Sequence, residues 1–259
     1  MTYQAEYNLF IKNVAREAGE IIRENYGNFF HRIEKSSFEF KTVVDDKVEA
    51  YIVESIKEKF PTHGVISEES AAYQSEAEYL WVIDPLDGTL NFTIGVTDLF
   101  AVSIALYFRG NPLVGVIYAP LRDDFYFASK DRGSYKNNQI IRPSDCDQME
   151  SAVVALEYGK VNRTEILKYQ EKLLSVNGAH YTYVFCNATV ALAMVAEGKL
   201  NAYFALNLEK WDMAAGVIIN QEAGNIVTNA QGKPWQLGDA GIIVAPPKFY
   251  KTFVDFIVK

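Results

Sequence analysis

The chain has 259 residues, 49% of them hydrophobic, and carries a net charge of −8 at neutral pH, which allows one large domain or two smaller ones around a substantial core. No Lys and Arg cluster of the kind that grips a nucleic-acid backbone is present, the longest apolar run (residues 100–108) falls well short of the ~20 residues of a membrane-crossing helix, and the opening MTYQAEYNLF lacks the basic and apolar regions of a signal peptide. A globular protein with no nucleic-acid partner, no membrane partner and a cytoplasmic location is therefore expected, with Cys146 and Cys186, far apart and in no CxxC, as reduced thiols.

Leu9, Phe10, Val14, Ala18, Ile21, Ile22 and Tyr26 recur at helical spacing and stop at Gly27, which predicts an amphipathic helix over residues 5–26. A second helix is expected over 46–60, with Val48, Ile52, Ile56 and Phe60 on one face, Pro61 ending it, Asp46 as a cap and Asp45 at its mouth. After a short apolar segment come Glu68 and Glu69, a pair that alone reads as a solvated turn. Residues 79–83, YLWVI, are apolar and β-prone and read as a buried strand.

That strand delivers Asp84-Pro-Leu-Asp87-Gly-Thr89 at its C-terminal end. Asp, Pro and Gly are turn formers, so the segment by itself could be an ordinary turn. It could equally be a metal and phosphate site: two carboxylates are spaced three apart, Pro85 fixes a backbone angle, Gly88 admits close approach of a ligand, and the amides near Gly88 and Thr89 could face an anion if a helix begins there. From 98 to 136 the strands AVSIALYF, PLVGVIYAP, DDFYFAS and GSYKN alternate with Gly- and Asp-rich turns, the pattern of an antiparallel meander whose Tyr and Phe pack the sheet.

Around Arg142-Pro-Ser-Asp the texture changes, and a domain boundary is placed there, giving units 1–142 and 143–259. Strands at 152–156, 202–206, 226–228 and 241–245 then alternate with helical patterns near 163–175, 188–197, 212–223 and 247–257, an α/β signature. Trp211-Asp212 opens one of these helices, where an Asp is ordinarily a cap. His31, His63 and His180 lie in loop-like stretches away from all of these motifs and are read as non-catalytic.

Taken together, Lys41-Thr-Val-Val-Asp45, Glu68-Glu69, Asp84-Pro-Leu-Asp87-Gly-Thr89 with Asn91-Phe92, the helix from Ala188 to Gly198, and Trp211-Asp212 with Glu222-Ala-Gly224 occur in one order over nearly the whole chain. In these elements the sequence resembles the inositol monophosphatase family of magnesium-dependent, lithium-sensitive phosphatases. The resemblance implies a layered α-β-α-β-α sandwich of the inositol monophosphatase and fructose-1,6-bisphosphatase type, a small-molecule phosphate ester as substrate, a homodimer, and two or three Mg²⁺ ions per site. It assigns Glu68, Asp84 and the Leu86 carbonyl to one metal and Asp84, Asp87 and Asp212 to a second, with Glu68 also counted among the catalytic residues. Thr89, paired with Asp45, would position the metal-activated water, with the Gly88 and Thr89 amides on the phosphate. Hard Mg²⁺ prefers oxygen ligands, which suits a set without His or Cys.

The sequence departs from the family pattern on the substrate side. Inositol-cleaving members carry Gly-Thr-Ala-Ala where Cys186-Asn187-Ala188-Thr189 stand here, and a glutamate that grips sugar hydroxyls where this chain has Ala205. A pocket built to bind a hydroxyl depends on that partner, so inositol 1-phosphate is not expected to be the best substrate. Fructose 1,6-bisphosphate, NADP(H) and 3′-phosphoadenosine nucleotides stand beside it, and a catalytically idle regulatory or scaffold relative is the alternative of another class. Tyr181, Tyr183 and Phe185 read equally as aromatic pocket lining and as a plain core strand.

Overall fold

A computed structural model describes residues 3–28, 32–36, 39–159, 161 and 163–258. His31 lies outside the described residues. The chain opens with α1 (Tyr3–Asn25), the hairpin β1 (Ile33–Ser36) and β2 (Glu39–Lys41), and α2 (Val43–Lys59). It continues through β3 (Gly64–Ser67), β4 (Tyr79–Asp87), α3 (Thr89–Ile94), β5 (Ala101–Phe108), β6 (Asn111–Ala119), β7 (Asp124–Ser129), β8 (Ser134–Lys136) and β9 (Gln139–Ile140). Then follow β10 (Val153–Glu157), α4 (Leu167–Leu173), β11 (Tyr181–Tyr183), α5 (Ala188–Ala196), β12 (Ala202–Ala205), α6 (Lys210–Ala223), β13 (Ile226–Thr228), β14 (Ile242–Ala245) and α7 (Pro247–Val258).

Strands β3 to β9 form one sheet in sequence order, antiparallel except for the parallel β3/β4 pair. A second sheet has the order β11-β10-β12-β14-β13, in which β10 runs parallel to both neighbours and β14 antiparallel to both of its own. Three hydrophobic clusters define the layers. Ile11, Ala15, Ala18 and Ile22 of α1, at spacings of four, three and four, join Val48, Ile52 and Ile56 of α2 against the outer face of the first sheet. The largely apolar α5 and the apolar middle of α6 are buried between the two sheets, where Tyr107 and Ile117 meet Leu192, Ile218 and Tyr203. Phe249 and Phe253 of α7 close the far face of the second sheet over Leu156 and Phe204. The result is the α-β-α-β-α sandwich. No helix among the described residues is long and apolar enough to cross a membrane.

Some local expectations shift. Helix α2 starts at Val43 because Thr42 is its cap: the Thr42 hydroxyl accepts the Val44 N–H while Asp45 at the third helical position reaches back to the Thr42 N–H, a capping box. Asp46, expected as the cap, instead sits at the fourth helical position and pairs with Lys41 at 2.5 Å. The helix expected over 163–175 is confined to 167–173. His63 is a core residue, stacked on Phe60 and Tyr79 and accepting the Trp81 indole N–H at Nδ1, 3.1 Å away; burial lowers its pKa, which keeps it neutral.

Candidate metal centre

Residues three apart on a regular strand point to opposite faces, so Asp84 and Asp87 would not meet if β4 ran straight. It does not. Asp84 is paired with Ser103 and Asp87 with Ala101, so Pro85 and Leu86 together oppose the single residue Val102. Such a bulge, at a proline that has no N–H to give the ladder, turns both carboxylates toward one side. The Leu86 N–H, freed from the ladder, donates to Asp84 Oδ1 at 3.0 Å. Helix α6 brings in Asp212 from the middle layer, and carboxylate oxygens of Asp84, Asp87 and Asp212 all lie within 4.8 Å of one another.

Two like charges ~4 Å apart cost on the order of 4 kcal/mol at an effective dielectric near 20. Three buried or half-buried carboxylates therefore need a cation, and an all-oxygen donor set without His or Cys fits a hard divalent ion such as Mg²⁺. Glu68 lines the same cleft but stands outside this trio, ion-paired at 2.9 Å with Lys35, which also holds Glu69 at 2.9 Å. Burial pulls the Lys35 ammonium down, yet Glu68 and Glu69 more than offset it and its pKa is raised.

Asp45 and Asp212 reach the site by the same device. Each occupies the third position of a helix that begins with a capping box, so one oxygen is fixed by the backbone: Asp45 Oδ2 takes the Thr42 N–H at 2.8 Å, and Asp212 Oδ2 the Glu209 N–H at 2.9 Å. The caps themselves are Thr42 and Glu209. Asp45 turns its other oxygen to the Thr89 hydroxyl at 3.0 Å, and that hydroxyl also lies 2.9 Å from the Leu86 carbonyl. Burial pushes the Asp45 carboxyl up, opposed by the bonds from Thr42 and Thr89.

Gly88 caps α3 at φ +83°, a left-handed conformation. A Cβ there would stand 2.7 Å from Asn187 Nδ2 and 2.8 Å from the Leu99 carbonyl, so the second sheet's loop approaches too closely for any side chain. Gly88→Ala should lose about 2 kcal/mol or more, since the left-handed strain costs roughly 1–2 and overpacking roughly 1–3. At 2–4 °C per kcal/mol for a chain of this size, differential scanning should read a Tm about 5 °C lower or more; an unchanged Tm would mean that the loop yields freely.

The other wall of the cleft comes from the second sheet. Asn187 caps α5 by accepting the Val190 N–H and donates its amide to the Asp87 carbonyl at 2.8 Å, while the Thr189 N–H donates to Asp87 Oδ2 at 2.8 Å. Cys186, Asn187 and Ala188 all line the cleft of about 370 Å³, together with Gly88, Thr89, Tyr158 and Arg163. Ala205 does not. It is fully buried within β12, on the face packed against α5 and α6. Nor are Tyr181, Tyr183 and Phe185 among the lining residues: β11 is an edge strand, Tyr181 and Tyr183 are exposed at 58% and 43%, Tyr183 stacks on Phe185, and Tyr181 lies tilted against Tyr183.

Two acids escaped the sequence reading, and a third, Glu222, entered it only as part of a motif. Glu49 lies one turn beyond Asp45 on the otherwise apolar inner face of α2 and accepts the Ser67 hydroxyl and the Glu69 N–H, the latter at 2.9 Å, so it shapes the Glu68-Glu69 turn; a charge at i+4 on a core face was its signal. Glu157 ends the apolar strand Val153-Val-Ala-Leu with a buried carboxylate in the cleft. Burial, with the N–H of Asn187 opposing and the charge of Asp87 adding, pushes it up to about 7. Glu222 is structural: it accepts the N–H groups of Asp131, Arg132 and Gly133 at 2.8–3.2 Å.

Layered sandwich and acid centre together define a metal-dependent phosphatase class. The sequence model of the inositol monophosphatase family matches residues 4–255, and the chain belongs to that family. It is 35% identical over 250 residues to the putative Nus factor SuhB of Neisseria meningitidis, covering 94% of each chain, and 35% identical over 241 residues to inositol monophosphatase 1 of Rattus norvegicus, covering 90% of this chain and 86% of the rat protein. The crystal structure of the extragenic suppressor protein suhB from Bartonella henselae superposes with a TM-score of 0.91 at 28% identity, over 96% of this chain and 97% of that one.

Proposed function

We propose that the chain is a Mg²⁺-dependent phosphomonoesterase that hydrolyses a small phosphorylated metabolite without a covalent intermediate. The observation that carries this reading is the convergence of Asp84, Asp87 and Asp212 beside the Thr89–Asp45 pair in one cleft. In it, Glu68, Asp84, Asp87, Asp212 and the Leu86 carbonyl would hold the metal. When bound there, Mg²⁺ would supply positive charge against the transferring phosphoryl group and lower the pKa of water. The chain's own residues do the positioning. Asp45, fixed by Thr42, takes the Thr89 hydroxyl hydrogen, which leaves the threonine oxygen to accept a proton from the attacking water and aim it. The Gly88 and Thr89 amides face the phosphoryl oxygens, and Cys186, Asn187 and Ala188 bound the alcohol side.

Because the wall residues depart from those of inositol-cleaving relatives, inositol 1-phosphate is not the preferred substrate in this reading; a ketose bisphosphate, NADP(H) and a 3′-phosphoadenosine nucleotide are its competitors. Purified protein should release phosphate from an aryl phosphate with Mg²⁺ and not with EDTA, and a panel of these esters compared by kcat/KM ranks them. Lithium at millimolar order should inhibit at fixed Mg²⁺; a flat titration would count against close functional kinship. A cytoplasmic homodimer, to be read by light scattering, and a domain boundary near 143, between the residues of the two sheets, belong to the same proposal.

The Nus factor names among the relatives favour a second reading, a regulatory relative whose cleft is idle. The complete acid set and the intact Thr89–Asp45 pair argue against it. Absence of phosphate release from every ester in the panel would favour it.

A further inference from the structure

We infer that Glu157 is a specificity residue whose carboxylate accepts a hydrogen bond from a hydroxyl on the alcohol part of the phosphate ester. The inference rests on the phosphatase reading and names the chemistry of its substrate: a phosphorylated polyol or sugar with a free hydroxyl near the ester carbon.

Glu157 ends β10 on the face that looks toward α5 and α6, two residues beyond Ala155 and with Ala205 as its Cα partner on β12. A carboxylate buried there costs several kcal/mol unless it is hydrogen-bonded. Part of that requirement is met by the loop before α5. Oε1 accepts the N–H groups of Phe185 at 3.2 Å and Asn187 at 3.3 Å, and the Cys186 N–H points at the same carboxylate. Cys186 has a left-handed φ of +54°, and this curl turns successive N–H groups inward as an anion-binding concavity. The carboxylate is thereby held in one orientation.

Its second oxygen is the informative one. Among the described residues no side chain donates to Oε2, while Glu157 lines the cleft beside Cys186, Asn187 and Ala188. An oriented carboxylate on the cleft wall, with one oxygen outside the Phe185 and Asn187 bonds, calls for a donor from the occupant, and the alcohol part of a phosphate ester offers hydroxyls. Position 205 on the next strand, ~4.8 Å away across the sheet, offers only a methyl group sealed in the core. The hydroxyl is therefore read from β10.

Glycerol 2-phosphate and isopropyl phosphate share a carbon skeleton and differ by two hydroxyls, so kcat/KM for both, in wild type and Glu157→Gln, isolates the contact. Gln keeps an oxygen for the Phe185 and Asn187 N–H groups and replaces the other acceptor by an NH₂. The preference of wild type for glycerol 2-phosphate should shrink by about 10-fold or more in the variant, the range for a hydrogen bond to a charged group, and the leaving-group difference cancels in the ratio of ratios. Manganese affinity, read by EPR, should stay unchanged. Equal loss on both esters together with weaker Mn²⁺ binding would overturn the inference, leaving Glu157 as a prop for the loop that holds Asp87. An unchanged preference would overturn it as well. So would a wild type that handles both esters equally, a result that needs no variant to fold. If wild type with Mg²⁺ cleaves neither ester nor an aryl phosphate, the phosphatase reading itself falls; cleavage of the aryl phosphate with any of the failures above sinks the inference alone.

Discussion

Asp87→Asn or Asp212→Asn should lower Mg²⁺-dependent phosphate release by on the order of 10³ or more, the several kcal/mol a catalytic metal contributes at 1.36 kcal/mol per decade. Asn keeps the shape and one oxygen of each side chain but removes its charge. At Asp87 that oxygen can still accept the Thr189 N–H, and at Asp212 the Glu209 N–H, so circular dichroism and Tm should stay near those of wild type. Isothermal titration should show weaker Mg²⁺ binding in both variants. Full activity of Asp87→Asn at low Mg²⁺ would show that the carboxylate does not hold the metal.

Thr89→Ala should lower kcat by roughly 10² or more, the usual range for losing a positioned proton-transfer partner, with a much smaller effect on Mg²⁺ affinity. Asp45→Asn should behave alike, since its Oδ1 is 3.0 Å from the Thr89 hydroxyl. The two act as one unit, so the double variant should be scarcely worse than the worse single one. Losses that multiply would separate them. Asp45→Asn should also cost some stability, because Asp45 accepts both the N–H and the hydroxyl of Thr42 in the α2 capping box.

Much of this was legible because the sequence signals were physical ones. Periodicity found α1 and the meander, and the run of β-prone residues ending in two aspartates found β4. What periodicity could not show is the bulge at Pro85 and Leu86, yet the presence of proline inside a strand was its trace. Asp212 opens a helical pattern like an ordinary cap, and Asp45 sat at the mouth of another helix; both are third-position residues of capping boxes whose caps are Glu209 and Thr42, which is why local pattern alone could not separate a capping role from a site role. The substrate wall was least legible. Ala205 turned out to be sealed in the sheet, whereas Glu157, its cross-strand partner, lay unnoticed at the end of an apolar run. Strand pairing between residues 48 positions apart leaves no mark in a single sequence.

The bonds from Asn187 and Thr189 to Asp87 tie an element of the second sheet's side to a strand of the first. In the proposed phosphatase, turnover would report on whether the start of α5 is docked on β4, not only on whether each is formed. Small rocking at that seam would disturb Asp87 long before any secondary structure melted, so heat or mild denaturant would silence the chain while its spectrum still looked native. By the same reasoning a nascent chain emerging from the ribosome would stay inert until α5 had arrived to hold Asp87 and α6 had arrived with Asp212.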